Sequence, residues 1–174
     1  MTANQTPPNT PADPGAADPT AAAHELLDVL IIGAGISGIG AGHYLSTEHP
    51  DKSFVILESR PTVGGTWDLF RYPGIRSDSD LYTFGYEFKP WTDKQSIADA
   101  DRILNYLHEA VDDDALTEKI ECNKRVVSID WSSAEQCWTA VVVHQVTGAA
   151  ETVRARWIFA GTGYYRYDEG YTPV

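Results

Sequence analysis

Basic residues are scarce in this 174-residue chain, where 13 Lys and Arg face 25 Asp and Glu for a net charge of −12. No basic stripe or cluster interrupts that balance. Nucleic acid and anionic membrane surfaces, which are met by clustered Lys and Arg, are therefore not expected partners. Cysteine is reduced to Cys122 and Cys137, without paired-motif spacing, which suits buried or idle thiols in a reducing cytosol. No apolar run approaches the ~20 residues a helix needs to cross a bilayer, so no integral membrane segment is expected. The opening residues lack the positive start and apolar stretch of a secretory signal. The expected location is cytoplasmic. His24, His43, His49, His108 and His144 are scattered without metal-ligand spacing, so no metal site is expected. There is neither a GxSxG elbow nor a glycine run closed by a lysine, which removes hydrolase and kinase readings.

What is present suits small-molecule chemistry. The hydrophobic fraction of 43% and the length allow one domain with a real core. Residues 1–24, rich in Pro, Ala, Thr, Asn and Asp, cannot bury enough apolar surface to offset the entropy of ordering and read as a disordered tail. The domain is expected over residues 25–174.

Its first segment carries the strongest signal. Asp28 to Ile32 reads as a buried strand that turns through Gly33-Ala34-Gly35-Ile36-Ser37-Gly38 directly into a helix reaching about Leu45. In such a turn Gly33 permits the tight bend, Gly35 lets a pyrophosphate approach the backbone, and Gly38 lets the helix lie close to its strand. The helix N-terminus then offers unpaired N–H groups and partial positive charge to the phosphates. A second apolar strand, Ser53 to Leu57, ends at Glu58, twenty residues past Gly38. That carboxylate can accept hydrogen bonds from a ribose 2′-hydroxyl and would repel a 2′-phosphate.

The remaining segments complete an α/β, Rossmann-like fold: a βαβ start, an amphipathic helix and a small antiparallel β-meander. Apolar Ile97, Leu104, Leu107 and Val111 predict the helix over residues 96–111, with Asp99 and Asp101 complementing its dipole. Three alternating stretches, Lys124–Trp131, Cys137–Val146 and Glu151–Ile158, predict the meander. Between Ser59 and Trp91 lies an irregular stretch too long for an idle loop.

Three motifs there and beyond bear chemistry. Gly64-Gly65-Thr66-Trp67-Asp68 combines paired glycines with Thr66 and Asp68 as hydrogen-bonding groups and Trp67 as a cover. Tyr72-Pro73-Gly74 sets a turn before Arg76, Ser77 and Asp78, where the plainer alternative is a solvated ion pair. Gly161-Thr162-Gly163 closes a strand expected to return to the first sheet.

Taken together, GAGISG, Glu58, GGTWDLFRYPGIRSDSD and GTGYY resemble the flavin-dependent class B, or Baeyer–Villiger, monooxygenases, and within them the ethionamide-activating subgroup. The resemblance covers Leu26 to about Pro173. It implies FAD, with its pyrophosphate at Gly33, Gly35, Ile36, Ser37 and Gly38 and its adenosine ribose at Glu58. It sets Gly65, Thr66, Trp67, Asp68 and Leu69 along the flavin, Val126 near the adenine, and Gly161 and Gly163 at the closing crossover. Tyr72, Arg76, Ser77 and Asp78 would border the place where NADPH meets the flavin, with Asp78 and Arg76 catalytic. The implied chemistry is insertion of oxygen from O₂ into a ketone, or onto a thioether or thioamide-like sulfur, through a peroxyflavin.

The resemblance also implies an incomplete domain. The FxGxxxHxxxWP fingerprint, the NADPH-binding domain and the C-terminal part that completes the flavin domain are not in this sequence. A missing C-terminal portion is thus an expected partner, and the isolated chain is expected to bind FAD weakly or not at all and to turn over no NADPH. Two other readings stay open: a non-catalytic remnant or split subunit, and another FAD- or NAD-binding oxidoreductase.

Overall fold

The computed structural model describes residues 25–165 and Pro173; the tail read at residues 1–24 lies outside the described residues. A central parallel sheet is built from β1 (Leu27–Ile32) and β2 (Phe54–Leu57), joined through α1 (Ile36–Glu48). Both strands are short and dense in Leu, Ile and Val; β2 is buried throughout and β1 over Leu30 to Ile32, on both faces, as strands in the middle of layered α/β folds are. Their register runs from Val29 opposite Phe54 to Ile32 opposite Leu57.

Side-chain alternation along these strands divides the core in two. Ile31, Phe54 and Ile56 face helices and pack with Ile39, Ile103, Leu107, Val111 and Leu116. Leu30, Ile32, Val55 and Leu57 point the other way, onto Ala140, Val142, Val153 and Ala155. The result is three layers.

The helical layer consists of α1 and α4 (Ala100–Asp113). Before α4 come the four-residue turns α2 (Thr66–Leu69) and α3 (Leu81–Phe84), so the stretch read as irregular carries two short helices. Tyrosines tie this stretch down: the Tyr86 hydroxyl donates to Ile36 O at 2.6 Å, and the Tyr106 hydroxyl donates to Lys89 O at 2.6 Å. The α4 helix begins at Ala100 instead of residue 96. Asp99 ends the preceding extended chain and caps the helix, its carboxylate accepting from Arg102 N at 3.0 Å. Ile97 consequently lies outside the helix and is exposed, while Ile103 joins the core in its place.

The third layer is the meander β4 (Lys124–Ser132), β5 (Cys137–His144) and β6 (Ala150–Ala160). It is continuous with the central sheet, in the order β3-β2-β1-β6-β5-β4, with β3 at Ile120–Glu121. Strand β6 makes this join. Its first half, Ala150 to Ala155, pairs antiparallel with β5, and its second half, Ala155 to Ala160, pairs parallel with β1. The return predicted for the strand before Gly161 is therefore observed. Cys122 and Cys137 are free thiols, Cys122 in the turn between β3 and β4 and Cys137 at the start of β5.

Candidate dinucleotide-binding site

A cavity of about 680 Å³ opens at the carboxyl ends of β1, β2 and β6, the place where open α/β sheets take their ligands. Its floor is the turn after β1. Gly33 has φ +99°, donates its N–H to Leu57 O at 2.8 Å, and would place a Cβ 2.6 Å from Gly161 O. Only glycine fits both the conformation and that approach. At Gly38 a Cβ would stand 1.8 Å from Gly33 O, so the α1 backbone can lie on the turn only without a side chain there. Gly35, with an ordinary φ of −82°, caps α1 and lines the cavity.

The α1 N-terminus has no side-chain cap and no acid in its first turn. Ile36 and Ser37 of that turn line the cavity. Unpaired amides and the positive end of the helix dipole thus face the space, which suits an anionic group.

Glu58 is 5% exposed and lines the same cavity. Its Oε2 accepts from Ala34 N at 2.7 Å, and its Oε1 accepts from Arg60 N at 2.8 Å and from the Ser59 hydroxyl at 3.3 Å. These bonds lock the glycine turn to the end of β2. Of the roughly four acceptor positions of a carboxylate, they leave one for a ligand hydroxyl.

Opposite the glycine turn sits α2. Gly64 (φ +117°) donates to Ala34 O at 2.9 Å, and a Cβ on Gly65 (φ +53°) would come within 3.0 Å of Gly35 Cα. Backbone therefore meets backbone across the two glycine motifs. Gly65, Thr66, Trp67 and Leu69 line the cavity, and Trp67 packs edge-on against Phe84 at 6.3 Å between ring centres. Val126, Gly161 and Gly163 line it as well.

The structure thus gathers Gly33, Gly35, Ile36, Ser37, Glu58, Gly65, Thr66, Trp67, Leu69, Val126, Gly161 and Gly163 around one space. Gly38 lies buried behind it. Asp68 does not line it: its carboxylate is buried between the guanidinium groups of Arg60 and Arg71, having turned away from the space that the sequence reading gave it.

Tyr72, Arg76, Ser77 and Asp78 are not brought to the cavity either. Tyr72 is 58% exposed beside the Pro73-Gly74 turn, which is closed by Ile75 N donating to Tyr72 O at 3.3 Å. Ser77 is buried because it binds residue 98 twice, donating its N–H to Ala98 O at 2.8 Å and accepting from Ala98 N on Oγ at 3.1 Å. The backbone at Arg76 pairs antiparallel with that at Asp99 as an isolated β-bridge, and both Arg76 and Asp78 are exposed. This pairing with the start of α4 holds the segment outside the lining.

Sequence reasoning missed Ser59, Arg60, Lys124, Arg125 and Gln145, which wall one end of the cavity. Long-range pairing brings them there: Lys124 N donates to Glu58 O at 2.8 Å, and Asn123 N donates to Arg60 O at 2.9 Å. No local motif announces such contacts. Beside them, burial and the charge of Glu58 push the Cys122 thiol above its ordinary range. Among the described residues no cluster of His, Cys, Asp and Glu could hold a metal ion.

Comparison with known proteins agrees with this geometry. Residues 31–93 match the family described as an NAD(P)-binding Rossmann-like domain. The chain is 50% identical over 149 residues to the FAD-containing monooxygenase EthA of Mycolicibacterium smegmatis, covering 86% of this chain and 30% of that protein. EthA of Mycobacterium tuberculosis is 49% identical over the same shares. Among solved structures, an oxidized steroid monooxygenase bound to NADP superposes with a TM-score of 0.74 at 28% identity, over 86% of this chain and 28% of that one. An open cyclohexanone monooxygenase gives 0.72 at 28% identity, over 80% and 27%. The chain spans about 30% of the length of the EthA relatives it matches. By sequence and by fold, the chain is similar to one part of these FAD-containing monooxygenases.

Proposed function

We propose that the chain is the adenine-dinucleotide portion of an NADPH- and O₂-dependent flavoprotein monooxygenase, and that FAD occupies the cavity between the two glycine motifs. One observation carries this reading. The uncapped α1 N-terminus, the Cβ-free floor at Gly33 and Gly35, and the buried Glu58 carboxylate converge on one space with Trp67 on its opposite wall. A pyrophosphate fits the first two, a ribose hydroxyl the third, and a flat ring system the last.

In this reading Gly33, Gly35, Ile36, Ser37 and Gly38 hold or support the pyrophosphate, and Glu58 orients the ribose. Val126 borders the adenine, while Gly65, Thr66, Trp67 and Leu69 flank the flavin side, backed by Asp68, and Gly161 and Gly163 close the crossover. FAD, when bound, supplies the ring that takes hydride from NADPH and delivers electrons to O₂. The substrate class is a small ketone or a thioether or thioamide-like molecule. Arg76, Ser77 and Asp78, with Tyr72 beside them, would meet the nicotinamide end only together with parts of the longer relatives that this chain does not contain.

Exposed aromatics support a role for such further sequence. Trp157 is 72% exposed and Phe159 41% exposed. Both lie on the half of β6 that pairs with β1 and not with β5. A covering segment, in the same polypeptide or a separate one, would bury them. A cytoplasmic location fits the two free thiols. Among the described residues no helix is long and apolar enough to cross a membrane.

Equilibrium dialysis of the chain against FAD, NAD⁺ and NADP⁺, with NADPH oxidation followed in parallel, tests this. FAD should be retained weakly and in preference to both nicotinamide dinucleotides, with no turnover of NADPH. Preferential retention of NAD⁺, or ordinary NADPH turnover by the chain alone, would overturn it.

A further inference from the structure

We propose that Asp68 is a positioning residue, and that its ion pair with Arg60 holds the Gly64–Leu69 turn down on the Gly33–Gly38 turn and so fixes the wall that faces a dinucleotide beyond its pyrophosphate. The inference rests on the dinucleotide reading above and assigns Asp68 a different task from ligand contact.

Arg60 is anchored at three points. Its N–H donates to Glu58 Oε1, its carbonyl accepts from Asn123 N, and its guanidinium reaches Asp68. It therefore joins the end of β2, the β3–β4 turn and α2, with its own side chain along the cavity wall. Asp68 is the sole acid in the first turn of α2 and is 5% exposed. A buried carboxylate leaves water only where paired charges and hydrogen bonds replace its hydration. Two guanidinium groups do so here. Arg60 holds Oδ2 from the inner side, and Arg71, itself 67% exposed, holds Oδ1 at 2.6 Å.

Little else ties the turn to the glycine floor. Gly64 N to Ala34 O, at 2.9 Å, is the hydrogen bond that crosses between the two motifs, and Gly64 and Gly65 have no side chains to interlock. Four residues of helix are too short to persist without outside support. Fixing the Asp68 end from the β2 side closes the turn against the floor. Arg60 Nε is buried without a hydrogen-bond partner, and the guanidinium's hydrogen bond to Asp68 is made by Nη2.

Amide hydrogen exchange and ligand affinity, measured on this chain, test the assignment. Asp68→Asn and Arg60→Gln should each speed exchange of the Gly64 amide about tenfold, through local opening of the turn, with the β1 and β2 amides unchanged. The double variant should lose no more than either single one, as expected of partners in one interaction. Arg71→Gln, which removes only the exposed partner, should match the wild type. FAD affinity should fall about tenfold in Asp68→Asn, whose altered side chain is not part of the cavity lining, while that of ADP, whose contacts end at the pyrophosphate, stays unchanged in that variant.

Wild-type exchange at Gly64 in Asp68→Asn, acceleration of all core amides together, additive losses in the double variant, or equal losses of ADP and FAD would each overturn the proposal. A wild-type chain that binds neither nucleotide would defeat the dinucleotide reading, and the exchange measurements would still decide whether the ion pair holds the turn.

Discussion

Gly38 and Gly74 show how differently two glycines can be constrained. A methyl group at Gly38 would sit 1.8 Å from Gly33 O and drive α1 off its strand, whereas at Gly74 (φ +78°) there is open space around it. Gly38→Ala should cost upwards of about 3 kcal/mol, at or beyond the top of the usual overpacking range. Gly74→Ala should cost only the ~1–2 kcal/mol of a left-handed non-glycine residue. Urea unfolding of both variants checks the ordering. Tyr86 gives a second prediction at this scale. Burial pushes its hydroxyl well above the ordinary value of 10.0, with Tyr106 adding to the shift. The folded chain keeps that proton more tightly than the unfolded chain, so the stabilisation is complete below about pH 10 and is lost above it. Stability should fall by about 1.4 kcal/mol per pH unit on this account once the unfolded tyrosine ionises. Tyr86→Phe should flatten that alkaline slope in denaturant titrations between pH 9 and 11. An unchanged slope would contradict it.

Single elements show where the sequence was legible. The strands and α1 were readable because their residues are apolar at the period their partners demand, and the glycine turn was readable because backbone geometry dictates residue type there. Helix α4 was readable as an amphipathic stretch but not at its start, where residues 96–98 are non-helical chain, with Ala98 paired to Ser77, and Asp99 caps the helix. The same pairing explains why Arg76 and Asp78 sit away from the cavity: proximity in sequence to a cofactor motif did not encode the antiparallel backbone pairing of Arg76 with Asp99. Lys124, Arg125 and Gln145 were invisible for a related reason, arriving through long-range backbone hydrogen bonds from Lys124 N to Glu58 O, from Asn123 N to Arg60 O and from Gln145 N to Asn123 O. For α4 itself, Leu107 is fully buried between helix and sheet. Leu107→Ala should therefore destabilise by about 2–5 kcal/mol, against about 1 kcal/mol for loss of the Asp99 cap in Asp99→Ala. Thermal unfolding of the two variants should separate them clearly, and equal losses would mean that α4 is held by its cap more than by its buried face.

At the scale of the whole molecule, three layers meet so that the ends of β1, β2 and β6 share one opening. The long β6 strand ties the layers together, since it takes part in both the meander and the parallel sheet. This arrangement brings Gly161 against Gly33, and Val126 to the same cavity as Trp67. Trp157 and Phe159 stay exposed on the half of β6 that pairs with β1. The most direct measurement of the central claim is an amide NMR titration of the chain with FAD. Shifts should concentrate at Gly35, Ile36, Ser37, Glu58, Thr66, Trp67, Leu69 and Val126, and ADP should reproduce those at the α1 N-terminus, Glu58 and Val126 but not those of α2. Absence of any shift at millimolar FAD, or shifts confined to residues outside the cavity, would contradict the assignment of this site to a flavin dinucleotide.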